Sequence, residues 1–313
     1  MRGIILLNLG TPDSPHPKDV KNYLAEFLSD PLVIDIPSPL RWLLLHGIIL
    51  RTRPKKSAHA YQAVWTDRGS PLLVNHLELT EALTQAMPEA VIIPAMRYGK
   101  PSLTEAFTML QQKKVTSITA IPLYPQYSQA ATESSILETQ RIGAQFGYQD
   151  IHFVPAFFDD KHFIEALRQS ATPYLQDLTN QDHVLMSFHG LPERHIAKMP
   201  PEKCYKAQSH RTASLLAQAL GLSQWSVGFQ SRLGRTPWIQ PFTDMAIQKL
   251  AQQGTKRLFV ICPSFVADCL ETLEEIGIRA RADFIAHGGK ELILIPCLNA
   301  HPAFVRTIQS FFT

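Results

Sequence analysis

One histidine and a short run of carboxylates have the types and spacing to do chemistry. His189 closes the apolar run Val184-Leu185-Met186-Ser187-Phe188 and is followed at once by Gly190-Leu191-Pro192, so a buried strand delivers an imidazole to its C-terminal tip before the chain turns away. With an ordinary pKa of ~6.5, such a ring accepts a proton or offers a neutral nitrogen to a metal near neutral pH. A strand-end histidine that only bonds nearby backbone is the plain alternative. The chain has 12 histidines, so position rather than residue type must decide. Asp268, Glu271 and Glu275 follow a second strand-like run at 257–262. At about 100° per residue they fall within about 60° of one another on one helical face, with Glu274 pointing elsewhere. Carboxylates in the first turns also meet the positive end of the helix dipole, although a solvated acidic helix start is the plain alternative.

A histidine facing a ladder of carboxylates suits a hard or borderline divalent cation such as Fe²⁺ and can pass protons along coupled acids. No closed structural-metal pattern accompanies it, as befits a site that must release its metal. The elements that would position these groups are legible from periodicity. Apolar runs at 4–9, 91–96, 117–123 and 151–154 form one set, and runs at 183–188, 225–229, 257–262 and 292–296 form another. Stretches of helical period separate them, which predicts an α/β fold of two four-stranded parallel sheets flanked by helices. Residues 159–175 read as a helix beside the boundary, giving domains 1–160 and 161–313, and the closing helix at 302–312 is expected to pack back on the first domain. Asn8-Leu9-Gly10-Thr11-Pro12 and Phe188-His189-Gly190-Leu191-Pro192 each end the first strand of a half, where open α/β sheets bind ligands.

The bulk properties exclude several classes. At 313 residues and 45% hydrophobic content the chain can fill two cores, and a formal charge of +3 without a basic, aromatic-interleaved block argues against nucleic acid. Cys204, Cys262, Cys269 and Cys297 form no CxxC pair, which fits a reducing compartment and argues against a zinc or iron–sulfur cage. Met1-Arg2 leads directly into the first strand with no signal-like leader, and the apolar stretch 31–50 is broken by Asp35, Pro37, Pro39, Arg41 and His46. A cytoplasmic protein without a membrane span is expected.

The motifs, taken in order, are specific. Leu7-Asn8-Leu9-Gly10-Thr11-Pro12, Gly69-Ser70-Pro71, Met96-Arg97-Tyr98, Pro122 through Ser128, Ser187 through Pro192, Gln230-Ser231-Arg232-Leu233-Gly234 with Pro237-Trp238, and Asp268 through Leu273 together resemble the ferrochelatase family along nearly the whole chain. The resemblance implies two Rossmann-like domains with a porphyrin in a cleft between them. It also implies a lyase that inserts Fe²⁺ with release of two protons in the last step of haem synthesis. His189 is similar to the family's essential histidine, which takes pyrrole protons or holds the metal, with Glu271 its partner and Asp268 and Glu275 further acids of the metal or proton path. Arg97, Tyr98, Tyr61, Ser70 and Trp238 match residues that line or grip the porphyrin, and Leu9 lies against the macrocycle.

Metallation requires the ring to buckle, and flat contacts such as Trp238 and Tyr98 would hold a distorted macrocycle, while Arg97 would meet a propionate. A core tryptophan and a structural ion pair are the respective alternatives. Relatives that metallate coproporphyrin tend to have tyrosine at the place of Leu9, so protoporphyrin IX is the expected substrate. Fe²⁺ enters as substrate, and no permanently bound cofactor is expected. Gln129 stands where cluster-bearing relatives have an additional cysteine and the chain ends at Thr313, so no [2Fe–2S] cluster is expected; Cys269 stands where the family often has histidine. The segment 31–53 reads as an apolar helix with Leu40, Trp42, Leu43, Leu44 and Ile48 beside Arg51, Arg53, Lys55 and Lys56. It is either a lip that meets a membrane surface on its inner face or an ordinary lid helix. A monomer is the working expectation. Cobalt or sirohydrochlorin chelatases, and a two-domain protein that holds a porphyrin without chemistry, are the alternatives.

Overall fold

The computed structural model describes residues 1–234 and 236–313. The chain divides into two units, one of Met1–Tyr124 with Ser128–Ala156 and one of Pro125–Tyr127 with Phe157–Thr313. The first contains β1 (Arg2–Thr11), β2 (Ala90–Gly99), β3 (Ser117–Pro122) and β4 (Ile151–Phe153) in the order β2-β1-β3-β4. The second contains β5 (Asp182–His189), β6 (Trp225–Gln230), β7 (Arg257–Ile261) and β8 (Glu291–Leu294) in the equivalent order β6-β5-β7-β8. Every pairing is parallel, so the expected α/β fold of two four-stranded sheets is borne out.

Burial explains why the strands were legible. Ile4 through Leu7 in β1, and Val184, Leu185, Met186 and Phe188 in β5, have no solvent exposure, because a central parallel strand is covered on both faces. In the first unit the helix Leu103–Gln112 starts with a reciprocal Ser102–Glu105 capping box. It buries Leu103, Ala106, Phe107 and Leu110, at helical spacing, against Ile5, Leu7, Ile93 and Ala120. In the second unit Ile247 and Ala251 of the helix Thr243–Gln252 pack with Leu185, Val260, Ile276 and Phe284.

The strand order fixes where a ligand can enter. β5 lies between β6 and β7, so the chain leaves β5 to one side and returns on the other, and the helices diverge at the carboxyl ends of β5 and β7. His189 ends β5, and the acidic segment follows β7. The tripeptide Pro125–Tyr127 is fastened within the second unit by Gln126 Nε2 donating to Thr212 Oγ1 (3.0 Å) and the Tyr127 amide donating to Gln208 Oε1 (2.7 Å). The closing helix Pro302–Ser310 packs on the helix Lys161–Ala171 of its own unit, with Phe311 tilted against Phe157 at 5.4 Å.

One buried group couples this core to pH. His76, on the helix Pro71–Ala86, is fully enclosed, and burial pushes its pKa down to about 4. The unfolded chain, with an imidazole pKa of ~6.5, binds the extra proton between these values, so stability present above about pH 6.5 is lost as pH falls towards 4. At ~1.36 kcal/mol per pKa unit the loss is roughly 3 kcal/mol. His76→Phe removes this titration, so the urea midpoint of the variant should change less between about pH 6.5 and pH 4 than that of the wild type. Equal slopes would refute the assignment.

Candidate functional site

At the β5 tip the backbone is pinned from both sides. The His189 amide donates to Ser264 Oγ (3.0 Å), beyond β7, and the Gly190 amide donates to the Gln230 carbonyl (2.8 Å) at the end of β6. A side chain at Gly190 would place its Cβ 2.6 Å from that carbonyl, so glycine is required by the close approach. The His189 ring meets the edge of Phe265 with centroids 6.0 Å apart, and its buried Nδ1 has no hydrogen-bond partner among the described residues. Burial pushes the His189 pKa down, while the nearby Glu271 charge pulls the other way; the net shift is downward. The imidazole is therefore neutral at neutral pH, with a nitrogen free for a proton or a metal.

The acidic segment differs from the expected ladder. A π-helix spans Glu271–Ala280, preceded by Leu270, and Asp268 lies outside it in the approach from β7. Its i→i+5 bonding widens the turn, so Glu271 and Glu275, four apart, stay near one face. Asp268 is buried and its oxygens accept from Thr272 Oγ1 (3.0 Å), the Cys297 amide (3.3 Å) and Asn299 Nδ2 (2.8 Å). Through Thr272 it ties the segment to the loop after β8. This corrects its expected place in one carboxylate row, which assumed an α-helix from residue 263 onward. Glu275 accepts from the Ser231 amide (2.8 Å) and hydroxyl (2.5 Å). Burial raises its pKa, and the Ser231 bonds offset only part of that rise. Glu274 pairs with Arg279 at 2.8 Å. Cys269 is buried, and burial with the Glu271 charge keeps its thiol protonated. Among the described residues no three His, Cys, Asp or Glu side chains converge to hold a metal ion, so His189, Glu271, Asp268 and Glu275 do not form one cage.

Trp238 lies beside the β5 tip, half-buried, with a backbone bridge to Pro192 and its indole N–H donating to the Leu233 carbonyl (2.8 Å). It is not a fully enclosed core residue. In the first unit, Leu9 near the end of β1 is partly exposed. Tyr61, Ser70 and Tyr98 are buried. The Ser70 hydroxyl accepts from Thr11 Oγ1 (2.7 Å) and precedes the helix Pro71–Ala86 as its N-cap residue, so its polar group is engaged within the fold.

Arg97 and Tyr98, expected to face the substrate, take part in a hydrogen-bonded network within the first unit. Arg97 donates through Nη2 to Asp30 Oδ2 (2.7 Å) and through Nε to Ser134 Oγ (2.7 Å), while the Tyr98 hydroxyl donates to the same Asp30 oxygen (2.8 Å). Ser134 Oγ adds a third bond to it at 2.5 Å. Burial alone would raise the Asp30 pKa. Bonds from Ser134, the Leu32 amide and Tyr98, with the Arg97 charge, outweigh it and hold the carboxyl below its usual range. The structural ion pair is thus the reading realised for Arg97, and the Tyr98 ring, only 1% exposed, offers no flat face.

Sequence reasoning missed Asp30, Ser134, Gln230, Ser231 and Ser264 as positioning groups. Only Gln230 and Ser231 carried a signal, as the opening of a motif to which no role had been given.

Two parallel sheets of equivalent order, one with a neutral histidine at the tip of its central strand and a carboxylate beside it, define a chelatase-type α/β protein. Among solved structures, SirB from Bacillus subtilis with Fe³⁺ matches with a TM-score of 0.55 at 14% identity, over 77% of this chain and 91% of that one. The sirohydrochlorin chelatase SirB from Bacillus subtilis subspecies spizizenii in complex with cobalt matches with a TM-score of 0.55 at 10% identity, over 99% and 92%. These likenesses speak for the fold alone. The ferrochelatase family pattern, however, matches residues 1–313. The ferrochelatase of Pseudomonas aeruginosa (strain UCBPP-PA14) is 46% identical over 96% of this chain and 94% of its own length, and that of Azotobacter vinelandii is 44% identical over 97% and 96%. The chain belongs to the ferrochelatase family, whose members insert metal into a porphyrin in haem synthesis.

Arg97→Met would leave Asp30 buried without its cation, and the expected cost is about 3 kcal/mol of unfolding free energy in urea denaturation. A change below about 0.5 kcal/mol would place the pair among exposed salt bridges of little weight.

Proposed function

We propose that the protein inserts Fe²⁺ into protoporphyrin IX, with His189 and Glu271 as the groups that act on protons and metal. The observation that carries this reading is the buried His189 Nδ1, without a partner and beside the Glu271 carboxylate at the crevice between β5 and β7. A free-base porphyrin holds its metal site closed with two N–H protons, and Fe²⁺ replaces both, so the enzyme must receive protons as the metal enters. A neutral imidazole accepts one, an adjacent carboxylate stabilises the imidazolium that forms, and once that proton has passed on to solvent the imidazole is free to take the second. Glu275, whose burial raises its affinity for protons, is suited to carry protons or metal further from the site. Open coordination by a histidine and carboxylates lets Fe²⁺ pass through as substrate rather than stay as a resident ion. The reading calls for no permanently bound cofactor. Leu9 offers an apolar contact without an oxygen ligand, which favours protoporphyrin IX over coproporphyrin, and Trp238 is the aromatic surface best placed to hold a distorted ring.

A peripheral membrane contact completes the proposal. No helix among the described residues is long and apolar enough to cross a membrane. The segment from the helix Ser38–Leu44 through the π-helical turn Leu45–Ile49 into the helix Leu50–Val64 leaves Leu40, Trp42, Leu43 and Ile48 all more than half exposed, next to exposed Arg51, Lys55 and Lys56. Apolar side chains flanked by cations suit the anionic inner face of a cell membrane, where a hydrophobic porphyrin collects.

His189→Ala is expected to lower the rate of metal insertion by at least about 100-fold while porphyrin binding persists, read by absorbance with Fe²⁺ or Zn²⁺ and protoporphyrin or coproporphyrin in parallel. Glu271→Gln, which keeps shape and removes charge, should also cost at least about 10-fold. Normal turnover in either variant would remove that residue from the mechanism. Co-sedimentation with anionic vesicles should fall several-fold when Arg51, Arg53, Lys55 and Lys56 are changed to glutamine, at ~1 kcal/mol per cation near the surface. Absence of binding at any salt concentration would rule out the membrane contact.

A further inference from the structure

His189 and Gln230 are partners in the register of β5 and β6, and Ser187 lies two residues before His189, so all three side chains share one face of the sheet. The Gln230 side chain lies flat along that face. Its Oε1 accepts from Ser187 Oγ (2.7 Å) and from Cys262 Sγ (3.7 Å), while its Nε2 donates to the backbone carbonyl of Glu271 (2.8 Å). Two donors on one side and a carbonyl on the other fix the orientation of the amide. Gln230, Ser187 and Cys262 are all nearly or fully buried, and Thr243 Oγ1 meets Ser187 Oγ at 2.8 Å to close the network. The amide therefore runs from β6 across β5 to the end of β7 and grips the residue that opens the π-helix.

We propose that Gln230 is a positioning residue that sets the separation of Glu271 from His189. The proposal rests on the reading above, in which these two groups act on metal and protons. A backbone carbonyl held 2.8 Å from a buried, orientation-locked amide cannot drift without breaking that bond, so the Glu271 carboxylate inherits the rigidity of β5 and β6. Groups that orient a metal-handling side chain commonly change affinity or activity by about 10–100-fold when removed.

The test uses the full-length protein, Zn²⁺ insertion into protoporphyrin by absorbance, and separate saturation curves for metal and porphyrin. Gln230→Met fills the same volume with no donor or acceptor; kcat is expected to fall, or the metal KM to rise, by about 10-fold, with the porphyrin KM close to wild type and the melting temperature lowered by the unpaired Ser187 hydroxyl and Glu271 carbonyl. Gln230→Glu keeps an acceptor for Ser187 but offers no amide donor to the Glu271 carbonyl, and it should show the same split. It decides the matter if the methionine variant fails to fold. Wild-type kcat and metal KM in a folded variant, or equal losses in metal and porphyrin KM together, would overturn the proposal. Glu271→Gln is measured in parallel. If it turns over normally, the role of Glu271 itself is wrong and the positioning role falls with it; if it is inactive while both Gln230 variants are wild-type, only the positioning role is wrong.

Discussion

A histidine that is to receive a proton from a substrate, the role proposed for His189, must be neutral, sheltered from water and yet left without a partner inside the protein. These requirements conflict, because burial ordinarily forces polar atoms into hydrogen bonds. At His189 the conflict is resolved through the backbone. The amides of His189 and Gly190 are held by Ser264 and by the Gln230 carbonyl, so strand geometry holds the residue in place while the ring's Nδ1 stays unbonded. Much of the neighbouring structure follows from keeping that arrangement fixed. Trp238 closes over Gly190, Phe265 meets the ring at its edge, and the Gln230 amide links Ser187 to the Glu271 carbonyl.

Two buried carboxylates show how the same group becomes structure or chemistry. Asp30 collects three strong donors and a guanidinium, and despite burial its proton is held less tightly than usual. It is an anchor, and its neighbours Arg97 and Tyr98 are committed to it. Glu275 is buried as well, but its donors are the amide and hydroxyl of a single residue, Ser231, and burial prevails. The donor count decides which acid is held below its usual range as a fixed anion and which is pushed above it. Residue type and burial alone would not separate them.

The strands and the position of His189 were legible because their signals are local. A central parallel strand carries a mostly apolar run, and the Gly190-Leu191-Pro192 turn directly after His189 marks the strand end at which the residue lies. The partners of Asp268, Arg97 and Tyr98 were not legible, for a different reason. Asp268 was placed on a row by an α-helical period, whereas its partners Cys297 and Asn299 come from 29 and 31 residues further on. The partner of Arg97 and Tyr98 is 67 and 68 residues away. Periodicity carries no information over such distances, and a tyrosine that grips a ligand has the same local spelling as one that closes a buried network.

The two units solve one steric problem in the same way and differ in what they present. Gly10 follows Leu9 as Gly190 follows His189, and in each case the neighbouring strand's carbonyl lies where a Cβ would be: Tyr98 O at 1.9 Å from the Gly10 position and Gln230 O at 2.6 Å from the Gly190 position. Tyr98 and Gln230 each then send a buried polar side chain to groups distant in sequence, Asp30 and Ser134 in one unit, Ser187 and Glu271 in the other. The short likeness between the two strand ends is therefore a shared backbone device, a glycine that lets the central strand lie tight against its neighbour. What that device displays one residue earlier is free to differ. Leu9 stands there in the first unit and His189 in the second, so under the proposed function one strand order would present an apolar side chain in one unit and an imidazole for protons or metal in the other.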